Sequence, residues 1–371
     1  MTDLRENLSS AIVSVTRLEL RTMVRLVRLL DKLSRDPVYR QRVYQEVPPV
    51  ATFDPGHDSV MMCYDFHLTG SGPKLIEVNT NAGGGLLAYL AYDPCLPVTA
   101  ESLNARLKDR LLQTFAHEIR QFSGGSKQKP EHIVIVDEDP PAQYLYPEMC
   151  VFAELFEAWG VPAEIADPRQ LQASAEGVWS ADQAVDLVYN RHCDFYLEGE
   201  AMSGLREAYL SRKVCLSPNP HLYGLLADKR RFVLWSDPKA MESFPLSAVD
   251  RTLLENTLSR AALLADLDLS QVWATRKQHV FKPVDSFGSR GVLLGEKISR
   301  RRFAELPVRT TLVQELVPPS ITEVPGQEPM KTDLRLYAYR DQVLGVTARL
   351  YRGQVTNLRT PGGGFARIRV I

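Results

Sequence analysis

Apolar residues recur near the helical period at Leu4, Leu8, Ile12, Val15, Leu18, Met23, Val27, Leu30 and Leu33, with Arg and Glu between them. This spacing predicts one N-terminal amphipathic helix that ends near Asp36-Pro37, where proline blocks continuation. Its stripe suits packing on its own domain or, alternatively, a homodimer interface. The pattern then changes to two strand-like runs, CYDFHL and KLIEVN, separated by Gly70, Gly72 and Pro73. They predict a β-hairpin with a Thr69–Pro73 loop. That loop sets Leu68 opposite Lys74, His67 opposite Leu75, Phe66 opposite Ile76 and Asp65 opposite Glu77.

A helical stretch follows over Glu101–Phe122, then a Ser-Gly-Gly-Ser-Lys linker at 123–127. From His132 the run HIVIVDED, a helix over Pro147–Trp159 ended by Gly160, and the runs VPAEIADP and AVDLVYN alternate as in a small parallel-sheet domain. Beyond His221, Asp228–Arg231 opens a helix to about Trp235, and Asp250–Asp266 predicts another. VWATRKQHVFKPVDSFGSRGVLL is expected as strand, glycine loop, strand; TLVQELV is an apolar strand; further strands and a glycine-rich tail close the chain. The expected class is α/β (α+β), divided at 1–125, 126–220 and 221–371.

Composition narrows the function classes. The 371 residues are 44% hydrophobic and 24% charged, and 44 Lys+Arg against 45 Asp+Glu leave a net charge of −1. That balance gives no general pull towards nucleic acid or an anionic membrane. The five cysteines form no C-x-x-C pair, so neither a structural zinc nor a disulfide framework is indicated. The start MTDLRENLSSAIVSV lacks a signal-peptide layout and no long uncharged apolar run is present, so a cytoplasmic setting is expected. No G-x-G-x-x-G follows the first strand of the parallel segment, and no G-x-x-x-x-G-K-[ST] occurs.

The chemistry concentrates in a few segments. On the hairpin, Asp65, Glu77 and Asn79 share a face, and opposed carboxylates repel unless something positive sits between them. Two acids and an amide suit Mg²⁺ bridging to phosphates; the alternative is a solvated face. Gly83–Gly85 follow at once and allow close approach of a ligand. Lys282 ends a strand before a loop with Gly288 and Gly291, a layout that cradles phosphate or simply turns a hairpin. VQELV offers backbone groups to an adenine edge, or is plain core. Asp333, Arg335, Tyr337 and Tyr339 share a face that normally meets water, although Arg335 could clamp a phosphoryl group. Arg359 precedes three glycines, as a lid or a frayed tail, and Arg191 ends a strand where open α/β sheets place ligands. His67 and His192 have no partner spacing for zinc and are taken as structural.

These segments resemble the ATP-grasp superfamily of carboxylate–amine ligases. KLIEVNTNAGGG is similar to its metal strand, DKRRF to its first nucleotide lysine, FKPVDSFGSRG to its second lysine and phosphate loop, and VQELV to its adenine hinge. The metal strand comes first here, an order that resembles the circularly permuted branch typified by eukaryotic glutathione synthetase and the glutathionylspermidine synthetase domain. VYNRHCDFY is similar to a substrate-arginine segment of that branch and NLRTPGGGFA to its substrate-grasping loop. The resemblance implies Mg²⁺ at Asp65, Glu77 and Asn79, and phosphates at Lys229 and Lys282 with Gly288, Ser289 and Gly291. It implies adenine at Gln314, Glu315 and Val317. Substrate carboxylates fall to Arg191 and Arg359, with Asn81, Gly363 and Gly364 nearby, and the phosphoryl site to Arg335 and Lys282. Where glutathione synthetase has a metal-binding Glu in the phosphate loop, this chain has Ser286 beside Asp285, so the third carboxylate is Asp65, Asp285 or both. The implied activity is an ATP- and Mg²⁺-dependent ligase on a small carboxylate and amine, with γ-glutamyl peptides as candidates. The alternatives are a catalytically degenerate nucleotide-binding scaffold and a small-molecule kinase.

Overall fold

The computed structural model describes residues 4–81, 83–93, 96–97, 99–286, 290–357 and 360–371. Its first strands are β1 (Leu8–Val15), β2 (Met62–Thr69), β3 (Gly72–Asn79), β4 (Ile133–Val136), β5 (Ala163–Ala166), β6 (Gln172–Ser174), β7 (Gly177–Ser180), β8 (Gln183–Ala184) and β9 (Leu187–Asn190). They are followed by β10 (Cys215–Ser217), β11 (Ala261–Leu263), β12 (His279–Pro283), β13 (Leu293–Leu294), β14 (Thr311–Glu315), β15 (Ser320–Thr322), β16 (Met330–Tyr339), β17 (Gln342–Tyr351) and β18 (Gly364–Val370). A seven-stranded sheet runs β1-β18-β17-β16-β2-β3, with β15 added on β16. The strands β10-β9-β4-β5 form a parallel sheet, β11-β14-β12-β13 an antiparallel one, and β6-β7-β8 a small meander.

The structure departs from the sequence expectations at three element boundaries, two of them drawn by partners distant in sequence. The N-terminal helix starts at Arg17, not Leu4, because Leu8–Val15 pairs in parallel with β18 from the far end of the chain. Thr16 closes the helix start: its hydroxyl accepts from the Glu19 N–H at 3.2 Å, while the Glu19 carboxylate accepts from the Thr16 N–H at 2.7 Å. Such a cap is worth about 1 kcal/mol and fixes the boundary. The expected Asp250–Asp266 helix stops at Thr257, since Ala261–Leu263 is drawn into pairing with β14. Val272 and Trp273, expected in a strand, lie on the helix Leu269–Thr275, and the strand begins only at His279.

The hairpin is also tighter than expected. Thr69 pairs with Gly72, leaving a two-residue tip, and Ile76 is an extra residue, since Phe66 faces Leu75 while Asp65 faces Glu77. The bulge resolves a parity conflict. Leu75 enters the core at 0% exposure, whereas Glu77 stays on the opposite face beside Asp65.

That parity positions the site. Tyr64 and Phe66 of β2, Leu334 and Leu336 of β16, and Ala348 and Leu350 of β17 pack on one face against Met23, Leu26, Val27 and Leu30 of the helix Arg17–Ser34. Met23, Val27, Leu30 and Leu33 of the N-terminal stripe are therefore buried within the chain, while Leu18 stays exposed. On the other face, Cys63, Tyr337 and Tyr339 pack against Phe115, Ile133 and Phe152 of the parallel-sheet region. Asp65 and His67 continue the Cys63 row, and Asp333 and Arg335 continue the Tyr337 row, past the end of that covering layer. The row expected to meet water is thus half core and half cleft. Among the described residues, no helix is long and apolar enough to cross a membrane.

Candidate active site

A cleft of about 740 Å³ opens where the polar end of the seven-stranded sheet meets the β11-β14-β12-β13 sheet. Asp65, Glu77, Asn79, Asn81, Lys229, Lys282, Gln314, Glu315, Val317 and Arg335 all line it, drawn from segments up to 270 residues apart. Lys229 precedes the helix Arg231–Ser236, and its Nζ lies 3.7 Å from Glu77 Oε1 and donates to the Ser286 carbonyl at 2.5 Å. Lys282 is the buried penultimate residue of β12, and its Nζ donates to the Ile76 carbonyl at 3.2 Å. Burial pushes the Lys282 ammonium down to about 8, aided by Lys229 and opposed by Glu77. Two ammonium groups thus face one cleft beside Glu77.

The expected metal set divides. Asp65 receives two hydrogen bonds of 2.7 Å from Arg335 and lies 3.0 Å from Arg349. Burial alone would raise its pKa, but the two guanidinium groups outweigh this and hold it at about 2. Both oxygens of Asp65 are therefore engaged by arginine, and as a metal ligand it is corrected to an arginine clamp. Asp285 is exposed and does not line the cleft. Glu77 and Asn79 fit a hard cation better. Glu77 is partly exposed, and Asn79 donates its amide N–H to Asp65 at 3.3 Å, which leaves the amide oxygen available. One carboxylate and one amide oxygen suit an ion that retains waters and phosphate ligands, as Mg²⁺ does.

The other expected residues are placed as follows. Asn81 lines the cleft, but its Nδ2 donates to the Asn190 and His192 carbonyls at 3.0 and 2.8 Å and its oxygen accepts from Thr80 at 2.6 Å, so it ties the hairpin exit to β9. Arg191 is buried away from the cleft, 3.4 Å from Glu148. Glu148 also accepts from the Gly84 and Leu86 N–H groups at 2.8 and 2.9 Å. Arg191 is thus corrected from a substrate arginine to a support of the Gly83–Gly84 turn. Gly363 and Gly364 are buried at the start of β18, where Gly364 adopts φ +91° against the Asn7 backbone, and they do not line the cleft. Gly291 has φ +72° and packs near Pro283, outside the cleft lining. Gln314 lines the cleft while donating to Ser259 Oγ at 2.7 Å. Gly288, Ser289 and Arg359 lie outside the described residues.

Arg349, Asp333 and His67 belong to this wall without having been singled out as site residues. Arg349 donates to both oxygens of Asp333 at 2.7 and 3.0 Å, and Thr356 Oγ1 donates to Asp333 at 2.6 Å. The sequence signal available was register: Asp333 and Arg349 are directly opposed in the β16–β17 hairpin. A separate buried group, His57 with Glu118 and Cys215, has metal-ligand types within reach of one another. The Glu118 carboxylate there already receives His57, the Asp58 N–H and Tyr339, at 2.9, 3.1 and 2.7 Å.

No protein-family model and no curated protein matches the sequence. Solved structures do. One from Methylobacillus flagellatus KT, described as a "putative gamma-glutamylcysteine synthetase", aligns over 95% of this chain and 88% of its own, with a TM-score of 0.51 and 12% identity. The likeness is one of fold, shared along nearly the whole chain. A second structure, the ATP-grasp ligase PsnB complexed with minimal precursor, Mg and ADP, covers 64% of this chain and 87% of its own, with a TM-score of 0.28 and 14% identity. Along the chain the hairpin bearing Glu77 and Asn79 precedes both lysines and the 315–317 segment.

Proposed function

We propose that this chain is an ATP- and Mg²⁺-dependent carboxylate–amine ligase that forms an amide through an acylphosphate, with the ATP-grasp core in circularly permuted order. The observation that carries the reading is the meeting of Lys229, beside Glu77, and Lys282, on the adjacent Ile76 carbonyl, in the cleft that the 315–317 segment also lines. The two ammonium groups hold phosphate oxygens, and the 315–317 backbone receives the adenine edge. Glu77 and Asn79 would hold Mg²⁺, which supplies charge neutralisation of the triphosphate when bound. A substrate carboxylate oxygen attacks the γ-phosphorus and ADP leaves. The amine nitrogen then attacks the acyl carbon, loses a proton and expels phosphate. The chain's task is positioning and charge stabilisation, with no side-chain nucleophile required.

The test supplies ATP, Mg²⁺ and an acid–amine panel, and follows ADP, phosphate and the mass of an amide product. The structural neighbour's name makes glutamate with cysteine the first pair, and γ-glutamyl peptides are the next acids. Tight ATP binding with no turnover on any pair overturns the ligase reading. A second reading, a nucleotide-binding protein without chemistry, is favoured by one observation: with Asp65 clamped by arginine and Asp285 outside the cleft, Glu77 is the one carboxylate of the expected metal set that faces the cleft unclamped. Glu77→Gln separates the two, since it abolishes ADP formation in a ligase and leaves the partner binding of a silent protein intact.

A further inference from the structure

The segment after β14 presents an ordered set of backbone groups to the cleft. The Glu315 N–H donates to the Arg260 carbonyl and the Leu316 N–H to the Gln278 carbonyl, both at 2.8 Å. Among the described residues, the Glu315 carbonyl and the Val317 N–H have no hydrogen-bond partner. The Val317 carbonyl is taken: His67 Nδ1 donates to it at 2.7 Å. Because the next residue is Pro318, the peptide between them has no N–H and is anchored only through that carbonyl. His67 lies on β2 two residues beyond Asp65, and it lines the cleft with Glu315 and Val317. Burial lowers the His67 pKa, so the ring is neutral, with its proton on the nitrogen facing Val317.

We propose that His67 is a positioning residue that selects adenine over guanine by pinning the Val317–Pro318 peptide. The inference rests on the ATP-dependent reading above. Strand alternation turns the Leu316 carbonyl, like its N–H, to the Gln278 side, so with the Val317 carbonyl occupied the opposite side offers one acceptor, at Glu315, and one donor, at Val317. Adenine carries the complement, an amino donor at N6 and an acceptor at N1. Guanine carries an acceptor at O6 and a donor at N1, so each group would meet its like and both would be buried unpaired. Without the pin, the peptide is free to turn and the discrimination relaxes.

The test measures binding of Mg-ATP and Mg-GTP by calorimetry to the full chain and to His67→Ala and His67→Asn. The wild type is expected to prefer ATP. His67→Ala should weaken ATP binding about five- to tenfold, the loss of roughly one neutral hydrogen bond, with GTP unchanged. His67→Asn, whose amide N–H can occupy the place of Nδ1, should restore the preference. Equal weakening of both nucleotides, or no change in either, overturns the assignment of His67 and leaves the ATP-dependent reading standing. Failure of the wild type to bind ATP overturns both.

Discussion

The Lys229 ammonium lies 3.7 Å from the Glu77 carboxylate, joining the segment before a helix to the exposed face of a hairpin strand 152 positions earlier. Glu77 is 30% exposed, so its contribution to the free protein's stability is small. Lys229→Met is therefore expected to leave the unfolding midpoint of the free protein nearly unchanged. It should weaken Mg-ATP about 10- to 100-fold, the scale of a lost charged hydrogen bond. Calorimetric titration checks the second effect and urea denaturation the first; intact ATP affinity in the variant would remove Lys229 from the nucleotide site.

Asp65 and Glu77 are opposed in the hairpin but differ in what they touch, so their amide variants should separate. Asp65→Asn strips the charge from a carboxylate that faces two buried arginines, and breaking such a pair costs about 3–5 kcal/mol. The lower end is expected, because Arg349 keeps Asp333. Glu77→Gln should cost little stability and raise the Mg²⁺ concentration needed for nucleotide binding. Denaturant titrations and Mg²⁺ titrations on the pair would show it. A stable Asp65→Asn protein with an altered Mg²⁺ requirement would return Asp65 to the metal site.

Lys282 gives the pH dependence. Its ammonium is pushed down to about 8 by burial in the free protein, and an arriving triphosphate favours the charged form. ATP binding at pH 8 should take up about half a proton at this site, visible as a buffer-dependent binding enthalpy, and affinity should fall from pH 7 to pH 9. Stability runs the other way. Between about pH 8 and the ordinary lysine value the unfolded chain holds the extra proton, so this site's contribution to the free protein's stability rises with pH across that window. Lys282→Met should abolish both trends.

Gly83 lies against the buried support of the hairpin exit. A Cβ there would come 2.2 Å from Arg191 Nη2, 2.5 Å from Leu145 Cδ1 and 2.9 Å from Glu148 Oε2. Gly83→Ala is expected to destabilise the protein by about 1–3 kcal/mol through overpacking, measured by thermal denaturation. An unchanged melting temperature would show that the Arg191–Glu148 pair does not brace this turn.

What could be read from the sequence was what depends on short range. Glu77 and Asn79 lie two apart, so their common side followed from strand alternation; Asp65 joins them as expected only because the bulge at Ile76 offsets a turn tighter than the expected Thr69–Pro73 loop. The parallel strands were equally visible as short apolar runs. What stayed hidden depends on distant partners. Leu8–Val15 fits a helical period as well as a strand, and only β18, more than 350 residues later, decides. Arg191 ends its strand as expected, yet Glu148 from a helix over forty residues away draws its guanidinium out of the cleft. The clamp on Asp65 needed the placement of β16 and β17 beside β2, which no local pattern reports.

The extra residue in the hairpin gives Lys282 its landing point. Ile76 faces no residue across the ladder, and its spare carbonyl accepts the ammonium that joins the two sheets. Every amino acid carries that same oxygen, so position 76 can drift freely in kind while the fastening survives. Loss of a single residue from the strand would erase it and still leave a well-formed hairpin with both acids in place. Kinship traced by matching side chains would overlook the difference; only the spacing between Leu75 and Glu77 records it.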